Sequence, residues 1–191
     1  MTSLVDHLES HLGRIEVGWS ESDEGEPLPF QVVRFSGGPV EGCRVFSTLG
    51  LSRYPLLSRV SHKMIRHELV LLARRGFGDK NLPGLLQQLG LECLKDNTAY
   101  LRGDVIGPRG VLFDGSTLQA LYVAMPAYFP DSFASFQPAE GEAVVMVWLV
   151  PISAGEALFV RERGWQSFED ALLRYDPDLS DFTRPPLSLA G

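Results

Sequence analysis

Two segments of the chain, residues 118–125 and 143–150, are apolar at positions that point to both faces of a strand. Successive side chains of a β-strand point to opposite faces, so a strand that is apolar on both faces has to be covered on both. Each segment is also far shorter than the ~20 residues that a bilayer-spanning helix needs. The two segments therefore predict central strands of a sheet that carries helices on each face.

Caps and periodicity place the other elements. Further strands with alternating side chains are predicted at residues 30–35, 43–49 and 65–72. Helices are predicted to start after Ser3, at Asn81 and Pro83, and in the S-x-x-E capping box of Ser153, and an amphipathic helix is predicted over residues 165–175. The tail, residues 178–191, is predicted to lie extended across the surface. This order predicts one α+β (mixed α/β) domain over residues 1–191, with a central mixed β-sheet flanked by helices.

The charge of the chain narrows the range of partners. A formal net charge of −7 and a pI near 5.1 oppose binding to nucleic acid or to an anionic membrane, because both need a basic surface. The first residues have neither the basic nor the apolar region of a signal peptide, and two cysteines are too few for a disulfide framework. We therefore expect a soluble, cytoplasmic protein with reduced cysteines, and any charged partner is expected to be basic.

Patterns that hold a cofactor or a metal are missing. The sequence has no P-loop, no G-x-G-x-x-G, no G-x-S-x-G and no C-x-x-C motif. His7 and His11 stand four residues apart on the first predicted helix, but no third ligand is suggested nearby. We interpret the pair as an exposed helical face, and we expect neither a cofactor nor a metal.

A small hydrolase is the alternative from the enzyme class. It would use Asp104, Asp114 or His67, which would have to converge in one pocket. The two aspartates are more simply explained as turn residues. His67 and Glu68 point to opposite faces of their strand and cannot form a dyad. Glu68 shares its face with apolar residues, which predicts a buried carboxylate that needs an arginine or a backbone amide as donor.

Two segments are candidates for contact with a partner protein. The first, residues 20–26, has no apolar side chain to bury and is predicted to be a solvated hairpin or loop. Its carboxylates belong to Glu21, Asp23, Glu24 and Glu26. The second, the loop at residues 126–136, carries several aromatic side chains, which either anchor a partner or fold back onto the core. The candidates for contact in this loop are Tyr128 and Phe129.

Several short motifs, taken in order, resemble the Suppressor of fused family. They are FSTLGLS at residues 46–52, HELV at 67–70, GDVI at 103–106, and VPI at 150–152. A buried strand that ends at Pro126 and a closing Asp181 with Arg184-Pro185 complete the resemblance, which covers about residues 42–185 and implies a domain core of about residues 28–185. The positions that map onto recurrent family residues are Thr48, Gly50, Ser52, Glu68, Asp104, Pro151, Glu156 and Arg184.

The resemblance implies a mixed β-sheet with flanking helices and no catalytic residues. Short bacterial members of the family are associated with immunity to toxins, which implies a non-enzymatic protein that neutralises or sequesters a partner protein. The acidic charge favours a basic toxin domain as that partner. The alternative within the binding class is a regulatory module that sequesters a peptide by strand addition to an open sheet edge. The sequence leaves the oligomeric state open.

Overall fold

The computed structural model describes residues 3–22, 24–77 and 80–189. Its strands are β1 (Ile15–Glu21), β2 (Pro27–Phe35), β3 (Cys43–Leu49), β4 (Leu56–Leu57), β5 (Met64–Arg74), β6 (Val105–Ile106), β7 (Ala120–Ala124), β8 (Ser135–Phe136) and β9 (Val144–Ile152). Its helices are α1 (Leu4–Leu12), α2 (Leu82–Asp96), α3 (Ala154–Arg163) and α4 (Trp165–Tyr175).

The sheet runs in the order β1-β2-β3-β5-β9-β7-β6, while β4 pairs with β5 and β8 pairs with β9. The β5 and β9 strands are parallel, with Leu69 opposite Val147, and the other neighbours are antiparallel. The two apolar segments at residues 118–125 and 143–150 form β7 and β9, which are paired inside the sheet. The predicted α+β fold with a mixed sheet is confirmed.

Helices cover both faces of the sheet, as the apolar strands require. One face packs against α1, α3 and α4 through side chains such as Leu8, Val160 and Phe168. The other face packs against α2, whose Leu82, Leu86 and Leu89 are buried. Within α2, Gly90 lies so close to the ring of Phe30 that a Cβ would be 2.3 Å from it, so this glycine permits the helix to approach β2.

The helix ends are fixed by local hydrogen bonds. Ser3 and Asp6 form a capping box at the start of α1, and Ser153 and Glu156 form another at the start of α3. The predicted helix at residues 165–175 coincides with α4.

Among the described residues, no helix combines the length and the apolar character needed to cross a membrane.

The prediction that residues 178–191 lie extended across the surface was wrong for residues 179–184, while Pro185, Pro186 and Ser188 are exposed and residues 190–191 lie outside the described residues. This segment does not simply lie across the surface, because Phe182 is 1% exposed and Arg184 is 4% exposed. The Phe182 ring packs against those of Phe77 and Phe113, with ring centroids 5.2 Å and 4.9 Å away. Phe182 therefore completes the core on the α2 face of the sheet, while Leu179 packs into the core on the other face.

Candidate functional site

Four of the family-motif positions converge on one buried carboxylate. The side chain of Glu68 on β5 is fully buried. Its Oε2 accepts a hydrogen bond of 2.6 Å from the Thr48 hydroxyl. Its Oε1 accepts from the backbone N–H groups of Gly50 and Ser52, at 2.9 Å and 3.1 Å, and from the Ser52 hydroxyl at 2.7 Å. The carboxylate thereby joins β5 to the turn that follows β3.

This cluster holds the turn after β3 against β5. Gly50 has a φ of +100°, which an L side chain rarely adopts, and this conformation lets its N–H point at the carboxylate. Burial raises the pKa of the Glu68 carboxyl, while the hydrogen bonds from Thr48, Ser52 and Gly50 oppose that shift. Arg66 instead donates to the carbonyl groups of Ser52 and Arg53, so a second contact holds the same turn. The donors for Glu68 are thus backbone amides, as one of the two predicted alternatives had it, together with the hydroxyls of Thr48 and Ser52.

Three further motif positions form a second buried cluster. Arg184 pairs with Glu156 at 2.8 Å, and it also donates to the carbonyl of Pro151 at 3.2 Å. The Glu156 carboxylate accepts in addition from the N–H groups of Ser153 and Leu187, at 2.7 Å and 3.1 Å. Burial acts to raise the pKa of Glu156, but the hydrogen bonds and charge of Arg184 outweigh it and lower that pKa. One carboxylate therefore caps α3 and fixes the tail to the end of β9.

The remaining motif residue, Asp104, stabilises a turn at the rim of a cleft. Its Oδ2 accepts a 2.9 Å hydrogen bond from the N–H of Leu101 and a 3.1 Å ion pair from Arg59. The cleft encloses about 450 Å³ and is lined by charges of both signs, which include Glu92 and Arg109 as a pair. Asp104 and Glu92 each pair with an arginine at this cleft.

The structure does not bring the hydrolase candidates together. Asp104 lines the cleft, but Asp114 and His67 do not. Asp114 lies exposed on the loop before β7, and His67 is fully buried. The N–H of Tyr100 donates to Nε2 of His67 at 3.2 Å, and burial lowers the pKa of this histidine to about 4. A buried imidazole held in this way is a structural residue, so the hydrolase alternative has no geometric support.

The interpretation of His7 and His11 as part of an exposed helical face was wrong. His7 Nε2 lies 3.3 Å from the carbonyl of Phe133, and His11 Nε2 lies 2.9 Å from the hydroxyl of Ser132. Both rings also contact Phe133. The pair docks α1 onto the 131–133 turn, and no group of three or more potential metal ligands occurs within the described ranges.

The acidic segment at residues 20–26 was predicted to be a hairpin or a loop, and it forms the turn of the β1–β2 hairpin. The N–H of Ser22 donates to the carbonyl of Glu26 at 2.8 Å, which closes the turn. Glu21, Glu24 and Glu26 are exposed, while Asp23 lies outside the described residues. Across residues 3–22, 24–77 and 80–189, no ion pair neutralises these three carboxylates.

The hairpin stands at a free edge of the sheet. Among the described strands β1 pairs with β2 alone, so its other side is open. The pairing is irregular between Ile15 and Val17 and again between Trp19 and Glu21. Such bulges are common on edge strands, where they reduce unwanted pairing between chains.

The two aromatic candidates occupy different environments. Phe129 is 6% exposed and packs against Phe133 and Trp148, with ring centroids 4.5 Å and 6.3 Å away. Its ring is part of the core and does not reach a partner in this conformation, which corrects its interpretation as a contact residue. Tyr128 is half-buried, and its hydroxyl lies 3.2 Å from both the Pro177 carbonyl and the Leu179 N–H.

Sequence reasoning missed a groove beside Tyr128. The groove encloses about 330 Å³ between α4 and the sheet, and its most exposed apolar residues are Met125 and Leu173. Met125 was interpreted as the end of a strand, and Leu173 as one residue of an amphipathic helix. The signal that could have indicated the groove was Leu173 itself, an apolar residue on the otherwise polar side of α4.

Comparison with known proteins establishes the family. The model of the Suppressor of fused protein (SUFU) family matches residues 26–185, so most of the chain is matched and the protein belongs to this family. A SUFU homologue from Neisseria gonorrhoeae has a similar structure, with a TM-score of 0.75 and 17% identity over 96% of this chain and 94% of the other. No match was found among curated proteins.

Two further solved structures share the fold. The structure of the Sufu–Fu complex gives a TM-score of 0.69 and 17% identity, over 96% of this chain and 90% of the other. Drosophila Suppressor of Fused gives a TM-score of 0.67 and 18% identity over 95% of this chain. This chain spans only 49% of the Drosophila protein.

Proposed function

We propose that this chain is a non-enzymatic, protein-binding member of the family that neutralises or sequesters a basic partner protein in the cytoplasm, as an immunity protein does for a toxin. The family-motif residues support this proposal because they form two buried hydrogen-bonded clusters and a turn. Recognition of a partner protein is therefore left to other residues on the surface. The similar fold in a structure described as the Sufu–Fu complex is consistent with a binding role.

The single observation that carries the proposal is the acidic hairpin. Glu21, Glu24 and Glu26 are exposed on the hairpin at the open edge of the sheet, and none of them forms an ion pair with the part of the chain that the structure describes. On a chain with a net charge of −7, such a protruding group attracts a basic protein and steers its approach. A basic toxin that cuts nucleic acid is the partner class with the matching charge, since it has to bind phosphates.

The test is kinetic, on the partner recovered by co-purification from the source cells. Changing Glu21, Asp23, Glu24 and Glu26 together to their amides should lower the association rate about tenfold at low salt, with much less effect near ~0.5 M salt. The dissociation rate should stay nearly constant. A matched control changes four exposed carboxylates elsewhere, those of Asp114, Asp131, Glu140 and Glu162.

The control variant carries the same net charge as the hairpin variant but keeps the hairpin acidic. Its association rate should fall much less. An equal loss in the two variants would mean that net charge alone steers the partner, and an acidic partner or an unchanged rate would contradict the proposal.

A second candidate is a module that sequesters a peptide by strand addition. The open edge of β1 favours it, because an edge strand offers unpaired backbone groups to an incoming segment. Hydrogen exchange of the β1 amides separates the two candidates. Strand addition should slow exchange along residues 15–21 when the partner binds, whereas recognition through the hairpin carboxylates should leave those amides exchanging as before.

A further inference from the structure

The groove between α4 and the sheet, called here the α4 groove, has an apolar floor and an open mouth. Beneath it lie side chains from β7 and β9, namely Tyr122, Ala124, Trp148 and Val150, of which Ala124 is partly exposed and the other three are fully buried. At the mouth, Met125 is 42% exposed and Leu173 is 81% exposed. A volume of about 330 Å³ is at the lower end of the range for pockets that bind ligands. Solvent-exposed apolar side chains above an apolar floor are typical of a binding surface.

The charged residues of the α4 groove leave one negative charge uncompensated. Arg102 and Glu169 form an ion pair at one end, where Arg102 also lies over the Trp165 ring at 4.6 Å. The hydroxyl of Tyr122 donates to Glu169 at 2.7 Å. Asp176, at the C-terminal cap of α4, makes no ion pair with any residue that the structure describes. The carbonyl groups at this helix end add negative potential to that of the carboxylate.

We propose that the α4 groove holds a large apolar side chain of the partner protein whose neighbouring residue is lysine or arginine. The apolar side chain would lie between Met125 and Leu173, and the cation would lie by Asp176 at the end of α4. This inference rests on the proposed function for the nature of the partner and adds a second contact surface to the acidic hairpin. Apolar anchors in pockets of this kind supply much of the affinity of protein interfaces.

Charge disfavours two other occupants. A second copy of the chain would bring the same net charge of −7, which opposes its approach at low salt. A membrane surface is anionic in most cells and would be repelled by Asp176 and by the overall charge. A basic protein segment satisfies both the apolar and the charged part of the groove.

The test uses a synthetic probe, the dipeptide amide acetyl-Phe-Lys-NH2, titrated into the whole chain and followed by NMR. We expect saturable shifts of the Met125 methyl and Trp148 indole signals, and about threefold weaker binding of acetyl-Phe-Glu-NH2. Asp176→Asn should remove this preference for lysine. Asparagine tolerates the left-handed conformation of residue 176, whose φ is +42°, so the helix cap is retained.

A second pair of variants tests the apolar contact. Leu173→Gln should weaken both dipeptides, while Leu91→Gln, an exposed leucine on α2 outside the groove, should leave binding unchanged. Absence of shifts at Met125 and Trp148, or a lysine preference that survives in Asp176→Asn, would overturn the proposal. Binding of hexylamine as tight as that of acetyl-Phe-Lys-NH2 would assign the groove to a small amphiphile instead.

Two outcomes separate this inference from the proposed function. If no partner protein is recovered, the dipeptide titration still decides whether the groove selects an apolar group beside a cation. If a partner is recovered, Leu173→Gln should raise its dissociation rate, and an unchanged rate would refute the inference while leaving the role of the hairpin intact. Signals of the groove that shift with protein concentration alone would assign it to a second copy, against the proposal.

Discussion

Protonation of His67 should make the stability of the fold depend on pH. The imidazole is fully buried, and the N–H of Tyr100 donates to its Nε2, an arrangement that requires the neutral ring. Burial lowers the pKa of His67 from 6.5 to about 4. Between these values the unfolded chain binds a proton that the folded chain does not bind. The contribution of His67 to stability is therefore fully present above pH 6.5 and is lost as the pH is lowered towards 4.

The magnitude follows from the two pKa values. With a pKa of 6.5 when unfolded and about 4 when folded, the free energy of unfolding should fall by about 2 kcal/mol at pH 5, with a limit of about 3 kcal/mol. Urea denaturation followed by tryptophan fluorescence from about pH 7.5 to about pH 5 measures this change.

Two variants isolate the contribution of His67. In His67→Gln the amide oxygen can still accept from Tyr100 and does not titrate, so the variant should lack this part of the pH dependence. His62→Asn is the control, because His62 is exposed and asparagine tolerates its φ of +55°. The control should follow the unaltered chain. The same pH dependence in His67→Gln as in the unaltered chain would refute the assignment.

Two further predictions concern the buried clusters. Glu68→Gln should lower the free energy of unfolding by roughly 1–3 kcal/mol in urea denaturation, since the amide cannot replace every acceptor position, while partner binding below the melting temperature should persist. Unchanged stability with loss of binding would contradict a structural role. Arg184→Met should cost about 3–5 kcal/mol by leaving Glu156 buried and unpaired, and adding Glu156→Gln should recover part of the lost melting temperature. No recovery would contradict the pairing.

Local sequence patterns predicted the elements of this fold well. The periodicity of residues 165–175 placed α4, and the capping box of Ser153 and Glu156 placed the start of α3. These signals are local, because caps and helical faces involve residues three or four positions apart. The two-sided apolar segments likewise predicted central strands, since burial of both faces leaves a direct trace in composition.

The contacts that define the candidate sites could not be predicted in the same way. Glu156 was recognised as a cap, but its ion pair with Arg184 joins residues far apart in sequence. Phe129 and Tyr128 are adjacent aromatic residues with similar propensities, yet only packing decides that Phe129 enters the core. The α4 groove combines residues of β7, β9, α4 and the chain after α4, so its shape exists only in the folded protein.

The place of β9 in the sheet also determines how the protein can be assembled during synthesis. The antiparallel strands β1, β2, β3 and β5 leave the ribosome before β9 does. Until β9 is synthesised, β5 lacks its parallel neighbour, in which Val147 lies opposite Leu69. At typical rates of translation this interval lasts on the order of ten seconds. Throughout that interval β5 presents an apolar, hydrogen-bonding edge, which is the kind of surface that aggregates or recruits a chaperone. The strand that makes the finished sheet continuous is thus the one that the nascent chain lacks for longest.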